Sequence, residues 1–75
     1  MPYIAIRSWP KDEETVNRVV ERINQVFLEE WGCPPQALTI SHEEIAPEDW
    51  AEKVVKPIIE PNLDKMKILF GEKKY

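Results

Sequence analysis

Cysteine and histidine are nearly missing from this 75-residue sequence: Cys33 and His42 are the sole representatives of their types. An intrachain disulfide is therefore excluded, and so is a Cys/His metal cluster. No apolar run approaches the roughly 20 residues that a membrane-spanning helix needs. The start of the chain has neither the basic region nor the apolar segment of a secretory leader. Together with an unpaired thiol, which suits a reducing compartment, these absences lead us to expect a cytoplasmic protein with no membrane partner. Positive charge is also short. Ten Lys and Arg face fourteen Asp and Glu, for a net charge of −4, which leaves no clustered cationic surface for a phosphate backbone and argues against nucleic acid. Internal repeats, low-complexity stretches and linkers are absent too, so residues 1–75 are expected to form one domain. A chain this small buries only about 60% of the surface its unfolded form exposes. Folds below roughly 80 residues usually recruit disulfides, a metal or partner subunits, and here oligomerisation is the route left open.

What is present is clear periodicity. After MP, the segment YIAIRSW (3 to 9) is rich in β-branched and aromatic residues, with Ile4 and Ile6 on one face and Tyr3, Ala5 and Arg7 on the other. It reads as a strand with both faces at least partly covered, ended by Pro10. Asp12 is a suitable N-cap, followed by Glu13 and Glu14 at the positive end of a helix dipole. Val16, Val19, Val20, Ile23, Val26, Phe27 and then Trp31 recur at the helical period, while Asn17, Arg18, Glu21, Arg22, Asn24 and Gln25 fill the opposite side. Gly32 provides the stop, and Pro34 and Pro35 forbid continuation. Leu38, Ile40 and His42 alternate with Thr39, Ser41 and Glu43, giving a second strand over roughly 37–45. Strand, helix, strand is a βαβ unit, so the strands should be parallel and joined by a right-handed crossover. Pro47, Glu48 and Asp49 open a helix expected over about 47–56, where Pro57 should end it. A second, bent segment carrying Ile58, Ile59, Leu63, Met66 and Leu69 should run to about 69, and GEKKY should fray. The expected class is α+β: a single βαβ unit with a C-terminal helical segment, completed by oligomerisation because two strands alone make no viable sheet.

Pro2 poses the chemical question. If Met1 is removed, Pro2 presents a secondary amine; while Met1 remains, the same nitrogen is an amide without basicity. An α-amino group has a reference pKa of about 7.7 to 8.0. Burial against apolar groups such as Ile40 or Trp50, and a neighbouring Lys11, penalise the ammonium form. Both effects favour a neutral base near pH 7, where general-base catalysis works best. On these residues alone the plainer reading is preferred, namely that proline tolerates the open start of an edge strand.

The order and spacing of the motifs change that balance. MP leading into an apolar strand, a charged position near residue 11, an amphipathic helix ending near GCPP, a second strand and IAPEDW together resemble the tautomerase superfamily, in its short 4-oxalocrotonate tautomerase branch. The PE-x-W element and a proline-containing C-terminal helix, in place of a Gly-rich C-terminal hairpin, are closer still to the small dimeric members from enteric bacteria. The resemblance covers nearly the whole chain. It implies an enzyme that ketonises 2-enols of 2-keto acids such as phenylenolpyruvate, without a cofactor or metal, as a homodimer in preference to a hexamer. By position, Pro2 is the base and acid. Lys11 stands where members commonly carry a substrate-binding arginine, and Trp50 where an aromatic side chain walls the pocket. Thr39 stands where diacid-specific members carry a second arginine, so a monoacid is the easier ligand. Lysine lacks the planar fork that grips a carboxylate bidentately, so anchoring at Lys11 should be looser. The incomplete cationic set leaves an alternative reading, a catalytically silent dimeric interaction module of the same fold.

Other residues read more plainly. His42, above Glu44, is expected to be structural or interfacial. Trp9 and Tyr3 suit a pocket or a dimer contact equally, Arg7 should face water, and Cys33 has no base partner and hence no nucleophilic role.

Overall fold

β-Branched residues and helix-capping groups fall where two parallel strands and a crossover helix require them. The computed structural model describes residues 1–75, which cluster into two units, Met1–Glu44 and Ile45–Tyr75. In the first, β1 (Tyr3–Ser8) and β2 (Thr39–Glu44) pair in parallel, from Tyr3 opposite Thr39 to Ser8 opposite Glu44. Between them runs α1 (Glu13–Val26), continued by a wider-turned segment, Phe27–Trp31. The Asp12 carboxylate caps α1 by accepting the Thr15 backbone N–H at 2.9 Å. At the far end Gly32 takes a left-handed φ of 73°, which residues with a Cβ rarely adopt, and the helix stops there. Phe27 and Trp31 stack at 5.1 Å between ring centroids and stiffen this last turn.

The strand alternation is cleanly two-sided. Ile4, Ile6 and Ser8 of β1, with Ile40 and His42 of β2, are half-buried. Tyr3, Ala5 and Arg7 are exposed, so within one chain the second face of the sheet is not covered as its sequence leads one to expect. Polar cross-strand pairs occupy that face: the Tyr3 hydroxyl lies 3.3 Å from Ser41 Oγ, and Arg7 Nε donates to Glu43 at 3.2 Å. The apolar stripe of α1 is likewise only partly used. Val16, Val20 and Ile23 are half-buried, whereas Val19 and Val26 remain 46% and 53% exposed.

The second unit begins with a tight turn, Pro47–Asp49, which leads through Trp50 into α2 (Ala51–Ile59) and a final tight-turned stretch, Glu60–Lys65. Pro57 does not end the helix. Proline has no N–H for an i→i−4 or an i→i−5 bond, so Pro57 leaves one helical bond unmade; the wider winding of α2, seen in the Glu60 N–H to Val55 carbonyl contact, eases the clash between the proline ring and the carbonyl four residues back. The bend comes after Pro61 instead, at Asn62 (φ −125°, ψ 29°), whose side-chain amide donates to the Ile58 carbonyl at 2.8 Å.

The C-terminus departs further from expectation. Helix ends at Lys65, and the last residues form a small antiparallel hairpin, β3 (Ile68–Leu69) with β4 (Glu72–Lys73), in place of a helix to 69 and a frayed tail. Its turn residues Phe70 (φ 47°) and Gly71 (φ 83°) both have positive φ, the geometry whose twist matches a two-residue hairpin. The Lys74 N–H closes the ladder onto the Lys67 carbonyl at 2.8 Å.

Candidate active site

Pro2 stands half-buried at the entry to β1, and its carbonyl accepts the Thr39 N–H at 3.3 Å. This bond ties the start of β1 to the start of β2 and brings two of the sequence candidates, Pro2 and Thr39, to the same end of the parallel pair. Met1 is 97% exposed, so its loss removes no packing.

Lys11 lies at the other end. It sits in the connection between β1 and the Asp12 cap of α1, exposed. Six strand residues at roughly 3.3 Å each put about 20 Å between Pro2 and the end of β1, and Lys11 follows in the connection beyond it. One chain therefore does not bring its own Pro2 and Lys11 to a common small molecule. Trp50 belongs to the second unit, half-buried at the junction between the Pro47–Asp49 turn and α2.

Beside Lys11, where the strands hand over to the helix, a cavity of about 380 Å³ opens between sheet and α1. Ile6, Val16, Val19 and Val20 form its apolar walls, Trp9 and Pro10 its rim, and Ser8, Lys11, Thr15 and His42 its polar residues. Ser8 Oγ is 2.8 Å from His42 Nε2 and 2.9 Å from the Trp9 carbonyl. A hydroxyl has one proton for these two contacts. When Ser8 donates to the Trp9 carbonyl, the bond to His42 requires an Nε2–H that donates to Ser8 Oγ. Sequence reasoning placed His42 over Glu44 and missed this pair. The legible signal was parity: Ser8 shares a face with Ile4 and Ile6, His42 shares one with Ile40, and the parallel register sets Ile6 against His42.

The remaining candidates have structural partners. Arg7 is held by Glu43, and Cys33 Sγ donates weakly to the Phe27 carbonyl at 3.7 Å. Asp12 is engaged by the Thr15 side chain first and the Thr15 backbone N–H second, which holds its carboxyl below the ordinary aspartate range. No group of three or more His, Cys, Asp or Glu converges as a metal site, and no helix is long and apolar enough to cross a membrane.

No family model matches the chain. It is, however, similar to two curated proteins named Tautomerase PptA. The one from Pectobacterium atrosepticum is 35% identical over 66 residues, covering 85% of this chain and 87% of the relative. The one from Pectobacterium carotovorum subsp. carotovorum is 32% identical with the same coverage. The matched stretch is longer than either unit by itself, so the similarity draws on both.

Proposed function

The chain belongs to the tautomerase superfamily and is an isomerase, and from that membership we propose that it ketonises 2-enol forms of 2-keto acids, with the Pro2 amine as proton shuttle once Met1 is removed. The neutral nitrogen takes the enol O–H proton as the C=O bond forms, and the C=C electron pair moves onto the adjacent carbon. The resulting ammonium returns a proton to that carbon, so amine and charge are regenerated and only the position of one hydrogen has changed. No cofactor is needed. Phenylenolpyruvate is a suitable substrate, because a single carboxylate matches the single cation at Lys11, and Thr39 supplies no second charge.

The observation that carries this reading is the position of Pro2. Its carbonyl bond to Thr39 holds the residue at the strand entry, while the fully protruding Met1 leaves the preceding peptide bond open to processing. Pro2 is half-buried at the strand entry, and burial of that kind favours an uncharged amine.

In this reading Lys11 anchors the substrate carboxylate and Trp50 walls the pocket. The length of β1, about 20 Å, stands between Pro2 and the connection that carries Lys11, so in this reading Lys11 comes from a second copy and the enzyme is a homodimer or a larger ring of such pairs. Two observations support association: the core of a single chain contains only Ala37, Ile45 and Val54 as buried apolar residues, and the α1 stripe is half exposed. We read residues 1–75 as one tautomerase domain acting in the cytoplasm on a small acid.

The test combines an N-terminal mass measurement with a phenylenolpyruvate ketonisation assay. Processed wild-type protein should begin at Pro2, and Pro2→Ala should lose about two or more orders of magnitude in rate, the usual range for removing a general base. Equal rates in the two proteins would favour the silent interaction module.

A further inference from the structure

The Ser8–His42 pair has no role in proton transfer at Pro2, yet it forms the hydrogen-bonding floor of an otherwise apolar cavity. We infer that this cavity is the acid-binding pocket, in which the Ser8 hydroxyl joins Lys11 on the ligand carboxylate, His42 positions Ser8, and an aryl or alkyl tail lies against Ile6, Val16, Val19 and Val20. The inference rests on the reading that Lys11 holds the substrate.

Three features support it. The cavity lies between sheet and α1 toward the carboxyl end of β1, the end of the strands at which open α/β sheets place their ligands. At about 380 Å³ it falls within the range of small-molecule sites, and like them it is mostly apolar with a few convergent polar groups. Finally, the Ser8 proton has somewhere else to go. Its bond to the Trp9 carbonyl is replaceable, because Trp9 is an exposed rim residue whose carbonyl can turn to water. A carboxylate beside Lys11 therefore draws the Ser8 O–H toward itself. His42 Nε2–H continues to donate to Ser8 Oγ, so the hydroxyl is aimed rather than free to rotate. The resulting O–H···O⁻ bond is charge-assisted and stronger than the neutral bond it replaces. A diacid fares worse, because its second carboxylate would have to lie against the valine wall without a counter-charge.

The first assay is steady-state ketonisation of phenylenolpyruvate by intact protein. Ser8→Ala and His42→Leu should each raise KM about tenfold or more, the loss expected for a hydrogen bond to a charged group, with kcat nearly unchanged. Ser8→Thr, which keeps the hydroxyl, and His42→Gln, whose amide can donate to Ser8 Oγ, should retain a KM near wild type. Far-UV circular dichroism and melting identify any variant that fails to fold. A KM unmoved in folded Ser8→Ala, or kcat falling while KM holds, would overturn the inference. The second assay needs no turnover. His42 is the single histidine, so its ring C–H resonances are an unambiguous NMR probe. Titration with 3-phenylpropanoate, in wild type and in Pro2→Ala, should move them saturably, and Ser8→Ala should weaken that response. If wild-type protein does not ketonise the enol, the tautomerase reading of the site fails, and the titration still decides the pocket. A saturable shift upholds it, and unmoved resonances overturn it.

Discussion

Mixing two inactive or impaired variants should restore activity, because Pro2 and Lys11 stand at opposite ends of β1. The perturbation is a pair of substitutions, Pro2→Ala in one chain and Lys11→Ala in the other, co-refolded in equal amounts. Pro2→Ala alone should lose about two to four orders of magnitude. Lys11→Ala alone should lose about tenfold in kcat/KM by giving up a charge-assisted hydrogen bond. If each site takes Pro2 from one copy and Lys11 from another, random assembly gives both intact residues to about a quarter of the sites in any symmetric oligomer. The mixture should then show about a quarter of wild-type activity. A site built within one chain would instead give the mean of the parents, about one twentieth, set by Lys11→Ala alone. The assay is ketonisation of phenylenolpyruvate before and after co-refolding, with each variant refolded separately as control. A mixture that merely averages its parents would refute the argument from strand length.

Three further outcomes follow from local structure. Asp12 holds its proton less tightly in the folded state than in the unfolded chain, so its contribution to stability is present above the ordinary aspartate value of about 4 and is lost as pH falls through the lower folded value. Asp12→Ala should lower Tm at pH 7 and flatten the acid limb of a Tm-against-pH curve, and an unchanged curve would contradict the cap. Phe70, 78% exposed at φ 47°, sits in a conformation that asparagine tolerates better; Phe70→Asn should stabilise the hairpin by about 1 kcal/mol, read as slower hydrogen exchange at the Lys74 N–H, with faster exchange as the contrary result. Val26 leaves 53% of its surface in water on the α1 stripe. Covering that half contributes about 1 kcal/mol per copy, so Val26→Glu should weaken a dimer by at least about 30-fold, whereas a sedimentation profile equal to wild type would count against α1 as the contact.

The first unit was legible because its periods are long and unambiguous. Alternation in YIAIRSW and the 3.6-residue recurrence from Val16 to Phe27 decide β1 and α1, with Asp12 and Gly32 marking the ends of the helical run. That Thr39 stands opposite the start of β1 follows from the parallel register once both strands are placed. The second unit was harder for physical reasons. The effect of Pro57 depends on how the helix is wound, because i→i−5 winding leaves room for the proline ring that an i→i−4 turn would not, although one bond is still unmade. Strands of two residues, such as β3 and β4, are too short to show any alternation, and Phe70 gives no warning that it will adopt a positive φ. The Ser8–His42 contact was missed because the residues are 34 apart in sequence and meet only through strand register.

The amine at Pro2 can be observed directly. Protein beginning at Pro2 and labelled with ¹⁵N-proline should show the terminal nitrogen titrating at or below about pH 7, under the ordinary α-amino range of about 7.7 to 8.0, with the same midpoint governing the acid limb of kcat/KM. A nitrogen that titrates within or above that range, with kcat/KM indifferent to its protonation, would show that Pro2 is not the base.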